Sequence, residues 1–398
     1  MAMNKAILDG IRVLDLSRVM SGPFCTSMLA DLGAEIIKVE LPEIGDDARH
    51  FGPYLEGQST YFMMLNRNKK SITIDMKSEE GRQLIREMIA HCDVLVENFR
   101  PGVMQRLGLD YQTVKSIKPD IVYASISGFG QDGPMKDLPA FDLVIQAMSG
   151  LMSLTGPKGG PATAVGESIA DVSTGMFAAF GIVSALFHRE RTGVGQHIDV
   201  AMLDSLFSMQ LTGLSRQLYF NDTPEPVGNR HPVTYPVDSF PTQTGDVVMV
   251  CFSQGAFRSL CELMGNVGLA DDPKYSTNDA RNANEDELRQ LIANWTVQYA
   301  QDDLVEKLIA ARIPAAPVWT LEQLAKSEHV AHRNSVVQGQ YETFGSIPLA
   351  PQPVKFSAVA DQSAVFVPTL GQHSDQVLSE LIGKSAKDIE LLRQKNII

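Results

Sequence analysis

The sequence has few cysteines and no long uninterrupted apolar run. The first argues against a zinc or disulfide framework, and the second against a secreted or membrane-spanning protein. Its cysteines, Cys25, Cys92, Cys251 and Cys261, form no CxxC pair and match neither a zinc spacing nor a disulfide framework. We therefore expect reduced thiols in a cytoplasmic protein. The N-terminus lacks an apolar run of signal-peptide length, and the longest charge-free run, residues 172–187, is shorter than the ~20 residues that cross a bilayer. Neither secretion nor a membrane span is expected.

Basic residues are also in deficit. The chain has 34 Lys and Arg against 47 Asp and Glu, a net charge of −13 over 398 residues. An acidic surface without a basic block repels phosphate backbones and anionic lipids, so we expect no nucleic-acid or membrane partner. An anionic small molecule would have to meet a local cluster of cations.

Several motifs are missing as well. The sequence contains no P-loop, no GxSxG and no HExxH motif, and we expect no bound metal. A dinucleotide fingerprint, GFGQDG, occurs at residues 128–133, but Pro134 follows directly and no helix opens there to hold a pyrophosphate. A plain turn is therefore favoured over a nicotinamide or flavin site.

The first half of the chain alternates two hydrophobic periods. Short β-branched runs predict strands, and stretches with helical spacing lie between them. Such alternation predicts a parallel sheet with helices on both faces, whose ligands bind beyond the carboxyl ends of the strands. The predicted strands are 11–16, 35–40, 71–76, 93–99, 120–127 and 197–202, and the predicted helices are 23–33 and 78–91.

The later part of the chain changes character. Residues 169–187 are apolar on all sides apart from Asp171 and predict a buried helix. A Pro-, Asn- and Asp-rich stretch, 222–243, predicts a linker and domain boundary before a smaller α+β unit. The remaining predicted elements are an amphipathic stretch at 203–219, a strand at 246–252 and helices at 285–300, 302–313, 374–382 and 386–394.

Three basic segments fall in loops near the ends of predicted strands. They are residues 66–70, residues 98–102 together with Arg106, and the loop that carries Arg49. Lys and Arg collected at one sheet edge of an acidic protein indicate phosphate recognition, while the alternative is ordinary surface charge. Pro101 and Gly102 open a helix whose free N–H groups favour an anion near Arg106.

Asp171 stands at the start of the apolar helix. Exposed N–H groups and the helix dipole are expected to hold its carboxylate ionised. It could be a structural cap without chemistry, or a nucleophile towards an activated acyl group. Glu167, four residues earlier, is the competing acid, and local pattern leaves the choice open.

Ordered segments along the whole chain resemble the class III CoA-transferases, the CaiB/BaiF group that includes formyl-CoA and carnitine CoA-transferases. The resemblance lies in VLDLSRVMSGPFCTSMLADLGAEIIKVE, VLVENFRPGVMQRLGLDY, SISGFGQDGP and DVSTGMFAAFGIVSALFHRERTGVGQHIDVAMLDS, and continues through GNRHP and ARIPAAPV to LGQHSDQVL. It implies an interlocked homodimer with a large Rossmann-like domain built from both chain ends and a small inserted domain. The expected boundaries are 1–222 and 326–398 for the large domain and 223–325 for the small one.

The resemblance also implies an activity and a site. The family nucleophile falls on Asp171, which would form an aspartyl anhydride and then an aspartyl-CoA thioester while CoA moves from an acyl-CoA donor to a carboxylic acid. CoA is then a substrate, and no permanently bound cofactor is needed. The family's CoA contacts fall on Lys77 near the adenine, on Asn98 and Phe99, and on Arg106 towards the phosphates, with Arg49 and Arg100 as further candidates and Met20 and Ser21 beside the thioester.

Some positions depart from relatives in the group. Formyl-CoA transferase has Gln at Met20 and Arg at Leu41, and its glycine-rich flap is not evident here, which argues against oxalate and formyl-CoA as substrates. The 2-methylacyl-CoA racemases of the same fold use a His where Phe141 stands, and Phe141 cannot exchange a proton. Transfer is favoured over racemisation, with a non-catalytic CoA-binding protein as the remaining alternative.

Overall fold

A computed structural model describes residues 6–359 and 365–398. The chain divides into two compact units. Of the described residues, the first unit combines those up to Leu151, Ala164–Leu214 and those from Ala331 onward, so the N-terminal and C-terminal parts of the chain both belong to it; the second combines Met152–Thr163 and Ser215–Val330.

The first unit is built on a six-stranded sheet in which every pair is parallel, as the sequence predicts. The strands are β1 (Arg12–Asp15), β2 (Glu35–Glu40), β3 (Lys69–Thr73), β4 (Val94–Glu97), β5 (Val122–Ser127) and β6 (His197–Ala201). Their order across the sheet is β3-β2-β1-β4-β5-β6.

Strand β3 begins two residues before the predicted start. The sequence places Lys69 and Lys70 in a basic loop, but Lys69 is fully buried and its Nζ lies 3.1 Å from the Asp15 carboxylate. Lys70 pairs with Glu35 at 2.7 Å. Because each lysine has a carboxylate partner, Lys69 in the interior and Lys70 at the partly exposed side, the strand extends through both.

Helices cover both faces of the sheet, since both faces of its strands are apolar. One face packs against the helices Ser21–Asp31 and Ile169–Thr192, and the other against Glu79–Ile89, Tyr111–Ile117 and the C-terminal helices. The other helices of this unit are Asp47–His50 (3₁₀), Thr60–Leu65, Val103–Leu107, Asp142–Met148 and Met202–Met209.

The Ile169–Thr192 helix approaches the Ser21–Asp31 helix closely at Gly175. A Cβ added there would lie 2.7 Å from the Ser21 carbonyl oxygen. Within a single chain this helix is not buried on all sides, because Phe180 is 72% exposed and Phe187 is 60% exposed. By length and composition alone this helix could cross a membrane, a test that core helices of soluble proteins also pass.

The C-terminal segment completes the first unit. Its helices, Ser374–Ile382 and Ala386–Gln394, have the predicted bounds and contribute Leu378 and Ile389 to the core beneath the sheet. A small sheet precedes them, formed by Val337–Tyr341, Gly345–Leu349 and Phe366–Val367, and a two-residue hairpin, Tyr54–Leu55 with Gln58–Ser59, lies earlier in the unit.

The second unit is a small α+β unit with a three-stranded antiparallel sheet. Its edge strand, Val237–Pro241, lies within the stretch predicted as a linker, and that part of the prediction is wrong. Proline is tolerated on an edge strand, so proline content concealed it. The other elements are Asp246–Val250, Ala315–Pro317, Gln254–Leu263, Val267–Ala270 (3₁₀), Asn278–Ala283, Glu285–Thr296, Gln301–Ala310 and Leu321–Ala325.

In three further helices the chain passes from one unit to the other. They are Leu151–Leu154, Leu211–Phe220 and Glu328–His332. All four cysteines are buried and unpaired.

Candidate active site

The carboxyl ends of β1, β4 and β5 open into a cavity of about 290 Å³, which we call the Asp171 cavity. This is the edge where a parallel sheet is expected to hold its ligand. The cavity brings together six of the residues singled out by the sequence. They are Met20, Ser21, Asn98, Phe99, Arg100 and Asp171.

Asp171 occupies the first turn of the Ile169–Thr192 helix, two residues after its start. Its carboxylate accepts hydrogen bonds from the hydroxyl and the backbone N–H of Ser21. Ser21 itself begins the neighbouring helix and is 5% exposed. The two helix starts therefore meet at the carboxylate, which faces the cavity.

A second carboxylate, that of Asp142, supports the turn that carries Asp171. Its Oδ1 accepts from the Ala170 N–H at 2.7 Å, and its Oδ2 accepts from Gln146 Nε2 at 2.7 Å. Asp142 thus caps a helix that has no side-chain bond from its own N-cap residue, Ser168.

Burial raises the pKa of Asp171 to about 6, with the Asp142 carboxylate as the second cause and the Ser21 hydrogen bonds opposing both. The expectation that the helix start favours the ionised form is therefore outweighed by desolvation and a like charge. Asp171 remains largely ionised at neutral pH, and it is more basic than an ordinary aspartate.

The charge of Asp171 also affects the ionisation of Tyr61. Its pKa is raised by burial first and by the Asp171 carboxylate second. Sequence reasoning missed Tyr61, and it gave Asp142 no role although Asp142 directly follows Phe141. An acid at the start of a helix, as at Asp142, is a signal that could have found the second of these.

The loop before Ser21 is held in an unusual conformation. Val19 has a φ of +67°, a left-handed region that β-branched residues rarely adopt. Its N–H donates to Asp46 Oδ1 at 2.9 Å. The Arg18 N–H donates to Asn98 Oδ1 at 2.9 Å, and Asn98 Nδ2 donates back to the Arg18 carbonyl at 2.7 Å. Asn98 and Asp46 thus fix the loop that positions Ser21.

In two of the three predicted basic segments the cations form ion pairs with carboxylates of the same chain. In residues 66–70, Arg67 pairs with Asp31 at 2.6 Å, while Lys69 and Lys70 pair as described above. The interpretation of this segment as a phosphate site is therefore wrong. Arg49 forms two bonds to the buried Glu40 carboxylate, at 2.7 and 2.8 Å, and lies over the Phe62 ring.

The remaining cations among the predicted CoA contacts line three cavities. Within residues 6–359 and 365–398, Arg100, Arg106 and Lys77 have no carboxylate partner. Arg100 lines the Asp171 cavity, and Arg106 lines a neighbouring cavity of about 470 Å³, which we call the Arg106 cavity. Lys77 lines a third cavity of about 490 Å³, together with Leu41, and this cavity shares no lining residue with the other two.

The first two cavities adjoin, because Pro101 and Lys136 line both. Lys136 is a further cation that sequence reasoning missed, since it stands alone in a Gly- and Asp-rich loop. The described residues give it no carboxylate partner either.

The structure also bears on the alternatives. Glu167 is exposed and does not line the Asp171 cavity. Phe141 lines that cavity and is 70% exposed. After residues 128–133 no helix begins before Asp142, as expected of a plain turn. Across the described ranges no group of three or more metal-ligating His, Cys, Asp or Glu occurs.

Comparison with known proteins agrees with this geometry. A family model described as CoA-transferase family III matches residues 8–374. A protein of Acetobacter aceti named acetyl-CoA:oxalate CoA-transferase is 40% identical over 361 residues, which cover 90% of this chain and 92% of that protein. A protein of Agrobacterium fabrum named succinate–glutarate CoA-transferase is 37% identical over 388 residues, covering 96% and 97%.

A solved structure agrees as well. The crystal structure of a CaiB/BaiF family protein from Brucella suis has a TM-score of 0.86 and 36% identity, and it covers 95% of this chain and 100% of that chain. Both the predicted family and the predicted α/β fold class are thereby confirmed. The chain belongs to the class III CoA-transferase family, the CaiB/BaiF group, and is a CoA-transferase.

Proposed function

We propose that the protein moves CoA between two carboxylic acids through covalent intermediates on Asp171. One observation carries the proposal: the buried Asp171 carboxylate, whose pKa is raised, lines the Asp171 cavity with Ser21 as its hydrogen-bond donor. A carboxylate in that position can act as a nucleophile towards a thioester.

The first half of the reaction transfers CoA to the enzyme. An Asp171 carboxylate oxygen attacks the carbonyl carbon of the donor thioester, the C–S bond breaks, and CoA leaves as a thiolate. The thiolate then attacks the aspartyl carbonyl carbon of the mixed anhydride. The donor acid leaves as a carboxylate, and an aspartyl-CoA thioester remains on the enzyme.

The second half reverses these steps with the acceptor. The acceptor carboxylate attacks the aspartyl thioester carbon and displaces the CoA thiolate, which gives a second anhydride. The thiolate attacks the acceptor acyl carbon, and Asp171 leaves as a carboxylate. Each step exchanges one activated acyl bond for another, and the cycle needs no net proton.

Ser21 is suited to assist both halves. Its N–H already points at the Asp171 carboxylate, and negative charge develops on an aspartyl oxygen whenever the aspartyl carbonyl is attacked. A preorganised donor at that oxygen stabilises the transition state. The fixed loop from Arg18 to Ser21 supplies this preorganisation.

We assign CoA recognition to the cations without acid partners. Arg100, Arg106 and Lys136 line two adjoining cavities that lead to Asp171, where unpaired cations can meet the phosphates of an otherwise repelled anion. Lys77 is the candidate near the adenine end. Arg49 is not assigned to CoA, because its guanidinium is bound to Glu40.

The acid substrates are proposed to be short dicarboxylic acids, for which the two relatives above are named. Met20 and Phe141 make the wall of the Asp171 cavity less polar, which argues against oxalate. The name of the Acetobacter aceti relative argues for it. The test is a matrix of acyl-CoA donors against acid acceptors, oxalate, succinate and glutarate included, scored by mass spectrometry of the CoA products.

The same matrix tests the alternatives. CoA transfer that depends on the acceptor supports the proposal, whereas release of free CoA alone would indicate a hydrolase. Deuterium wash-in at the α-carbon of a 2-methylacyl-CoA without any acceptor would indicate a racemase. Binding of CoA without turnover of any pair would indicate a non-catalytic protein.

We further propose that the protein works as a homodimer, interlocked as the resemblance implies. Support comes from the Ile169–Thr192 helix, where Phe177, Phe180 and Phe187 recur at helical spacing and are exposed. Apolar faces of this kind are usually covered by a partner. Sedimentation of the full chain as a dimer is the expected result; a monomeric wild-type protein would contradict it.

A further inference from the structure

A buried carboxyl group lies directly beneath the loop that carries Asn98 and Phe99. Glu97 is the last residue of β4 and is 3% exposed. Its Oε2 accepts from the Phe99 N–H at 2.9 Å. The backbone of a proposed CoA contact is therefore tied to a titratable side chain that the mechanism above does not use.

The hydrogen bonding continues across two strands. Glu97 pairs in register with Ser125 on β5 and also forms a side-chain hydrogen bond with it. The Ser125 Oγ lies 3.0 Å from His197 Nε2 on β6. The His197 ring stacks on Tyr111 with centroids 5.2 Å apart. Glu97, Ser125 and His197 thus form a chain with a donor or acceptor at each link.

No cation neutralises Glu97 in the part of the chain that the structure describes. Burial first, and the Asp199 carboxylate to a smaller extent, raise its pKa to about 7 against the opposing effect of the bonds from Ser125 and Phe99. Burial lowers the pKa of His197, so that ring is neutral at the same pH. The charged or titratable groups around Glu97 or lining the Arg106 cavity with it are Arg106, Asp110, Tyr111, Tyr123, Lys136, Asp137, His197 and Asp199.

We propose that Glu97 is a positioning residue for CoA that acts in its neutral form, so that CoA binding is coupled to proton uptake at this carboxyl group. The inference rests on the proposed function, because it takes the ligand of the Arg106 cavity to be the CoA phosphates. Glu97 and Arg106 line that one cavity. An ionised carboxylate in that cavity repels a phosphate, whereas a neutral carboxyl does not.

The hydrogen-bonded series of Glu97, Ser125 and His197 accommodates both protonation states of Glu97 without losing a hydrogen bond. In the neutral state the Glu97 O–H donates to the Ser125 Oγ, and the Ser125 O–H donates to the lone pair on His197 Nε2. In the ionised state the Ser125 O–H donates to Glu97, and the other His197 tautomer donates from Nε2 to Ser125. The added proton comes from solvent. Glu97 accepts the hydrogen bond from the Phe99 N–H in both states.

The test measures CoA binding to full-length Asp171→Asn protein, in which neither turnover nor titration of Asp171 contributes. Calorimetry at pH 7.5 in buffers of different ionisation enthalpy gives the number of protons taken up. We expect roughly half a proton more in Asp171→Asn than in Asp171→Asn/Glu97→Gln. Since the ionisation of CoA itself is common to both proteins, it cancels in this difference.

The affinity should change in step with the proton count. From pH 6.5 to 8.5 the CoA affinity of Asp171→Asn should fall by about 3- to 10-fold relative to the protein that also carries Glu97→Gln. Glu380→Gln, which changes an exposed acid elsewhere in the unit, should leave proton uptake unchanged. Equal proton counts and parallel pH profiles with and without Glu97→Gln would overturn the inference and leave the CoA-transferase mechanism intact.

A second variant covers the case in which Glu97→Gln does not fold. Ser125→Ala removes a donor to the ionised carboxylate, so the midpoint of proton uptake should move to higher pH; an unmoved midpoint would overturn the inference. If CoA binds to no form of the protein at any pH, the assignment of the cavities to CoA fails, and the inference fails with it.

Discussion

The Asp142 carboxylate lies 2.7 Å from the N–H of Ala170, the residue directly before Asp171. It therefore does two things at once: it holds the first turn of the helix in place, and its charge raises the pKa of Asp171. A nucleophilic carboxylate gains basicity from such a neighbour, provided that the working pH stays above its pKa.

This pair predicts the acidic limb of the pH profile. Asp171 must be ionised to attack, so kcat/KM should fall as the pH drops through about 6, the value to which burial and Asp142 raise the pKa of Asp171. Asp142→Asn keeps an oxygen for the Ala170 N–H but removes the charge, so the limb should move to lower pH. An unchanged limb, measured over pH 4.5 to 8, would separate Asp142 from the ionisation of Asp171.

Gly175 is predicted to be essential for the contact between the two helix starts. Its substitution by alanine would place a Cβ 2.7 Å from the Ser21 carbonyl oxygen, so the helices must separate and Ser21 must move from Asp171. We expect kcat to fall by about 10- to 100-fold, since small misplacements at a reacting group are costly. Gly181→Ala is the matched control, because its Cβ would meet only the Ile198 side chain, at 3.2 Å. Equal kcat values for the two variants would refute the role of this contact.

Arg49 and Arg100 are predicted to have different roles, Arg49 in the stability of the fold and Arg100 in CoA binding. Arg49→Met leaves the buried Glu40 without its cation and should lower the free energy of unfolding by about 3–5 kcal/mol, with little change in CoA affinity of the folded protein. Arg100→Met breaks no ion pair, so it should weaken CoA binding and leave unfolding nearly unchanged. Denaturant unfolding and CoA titration of both variants check this. The reverse pattern would place Arg49 at the coenzyme.

Arg106 is predicted to contribute through charge. Arg106→Ala should weaken CoA binding by about tenfold or more, as expected for loss of a hydrogen bond to a charged group. The loss should be larger at low salt than at high salt, because salt already screens the native contact. A dissociation constant that does not change at either salt concentration would remove Arg106 from the site.

The sequence alone was sufficient to predict the parallel sheet, while the choice of Asp171 as the nucleophile candidate came from the family resemblance. Local pattern singled out Asp171 only as the single charge at the entrance of a long apolar helix, and it predicted the helices at 374–382 and 386–394 from their spacing. In each case the signal lies within one segment of the chain. Hydrophobic period and position relative to a helix start are local properties.

The partners of the charged residues could not be predicted in this way. Lys69 and Asp15 are 54 residues apart, and nothing in the basic segment 66–70 shows that its charges are neutralised within the fold. The same holds for Arg49, whose loop has the sequence pattern of a phosphate site although its guanidinium is bound to the buried Glu40 carboxylate. Only the tertiary contacts distinguish the cations that build the protein from those left for a ligand.

The central claim is a covalent bond to Asp171, and trapping that bond tests it most directly. The protein is incubated with a donor acyl-CoA and no acceptor, quenched with hydroxylamine, digested and analysed by mass spectrometry. We predict a hydroxamate on Asp171, absent without the donor and absent from Asp171→Asn. Turnover retained in Asp171→Ala, with no adduct on the wild-type peptide, would contradict the account.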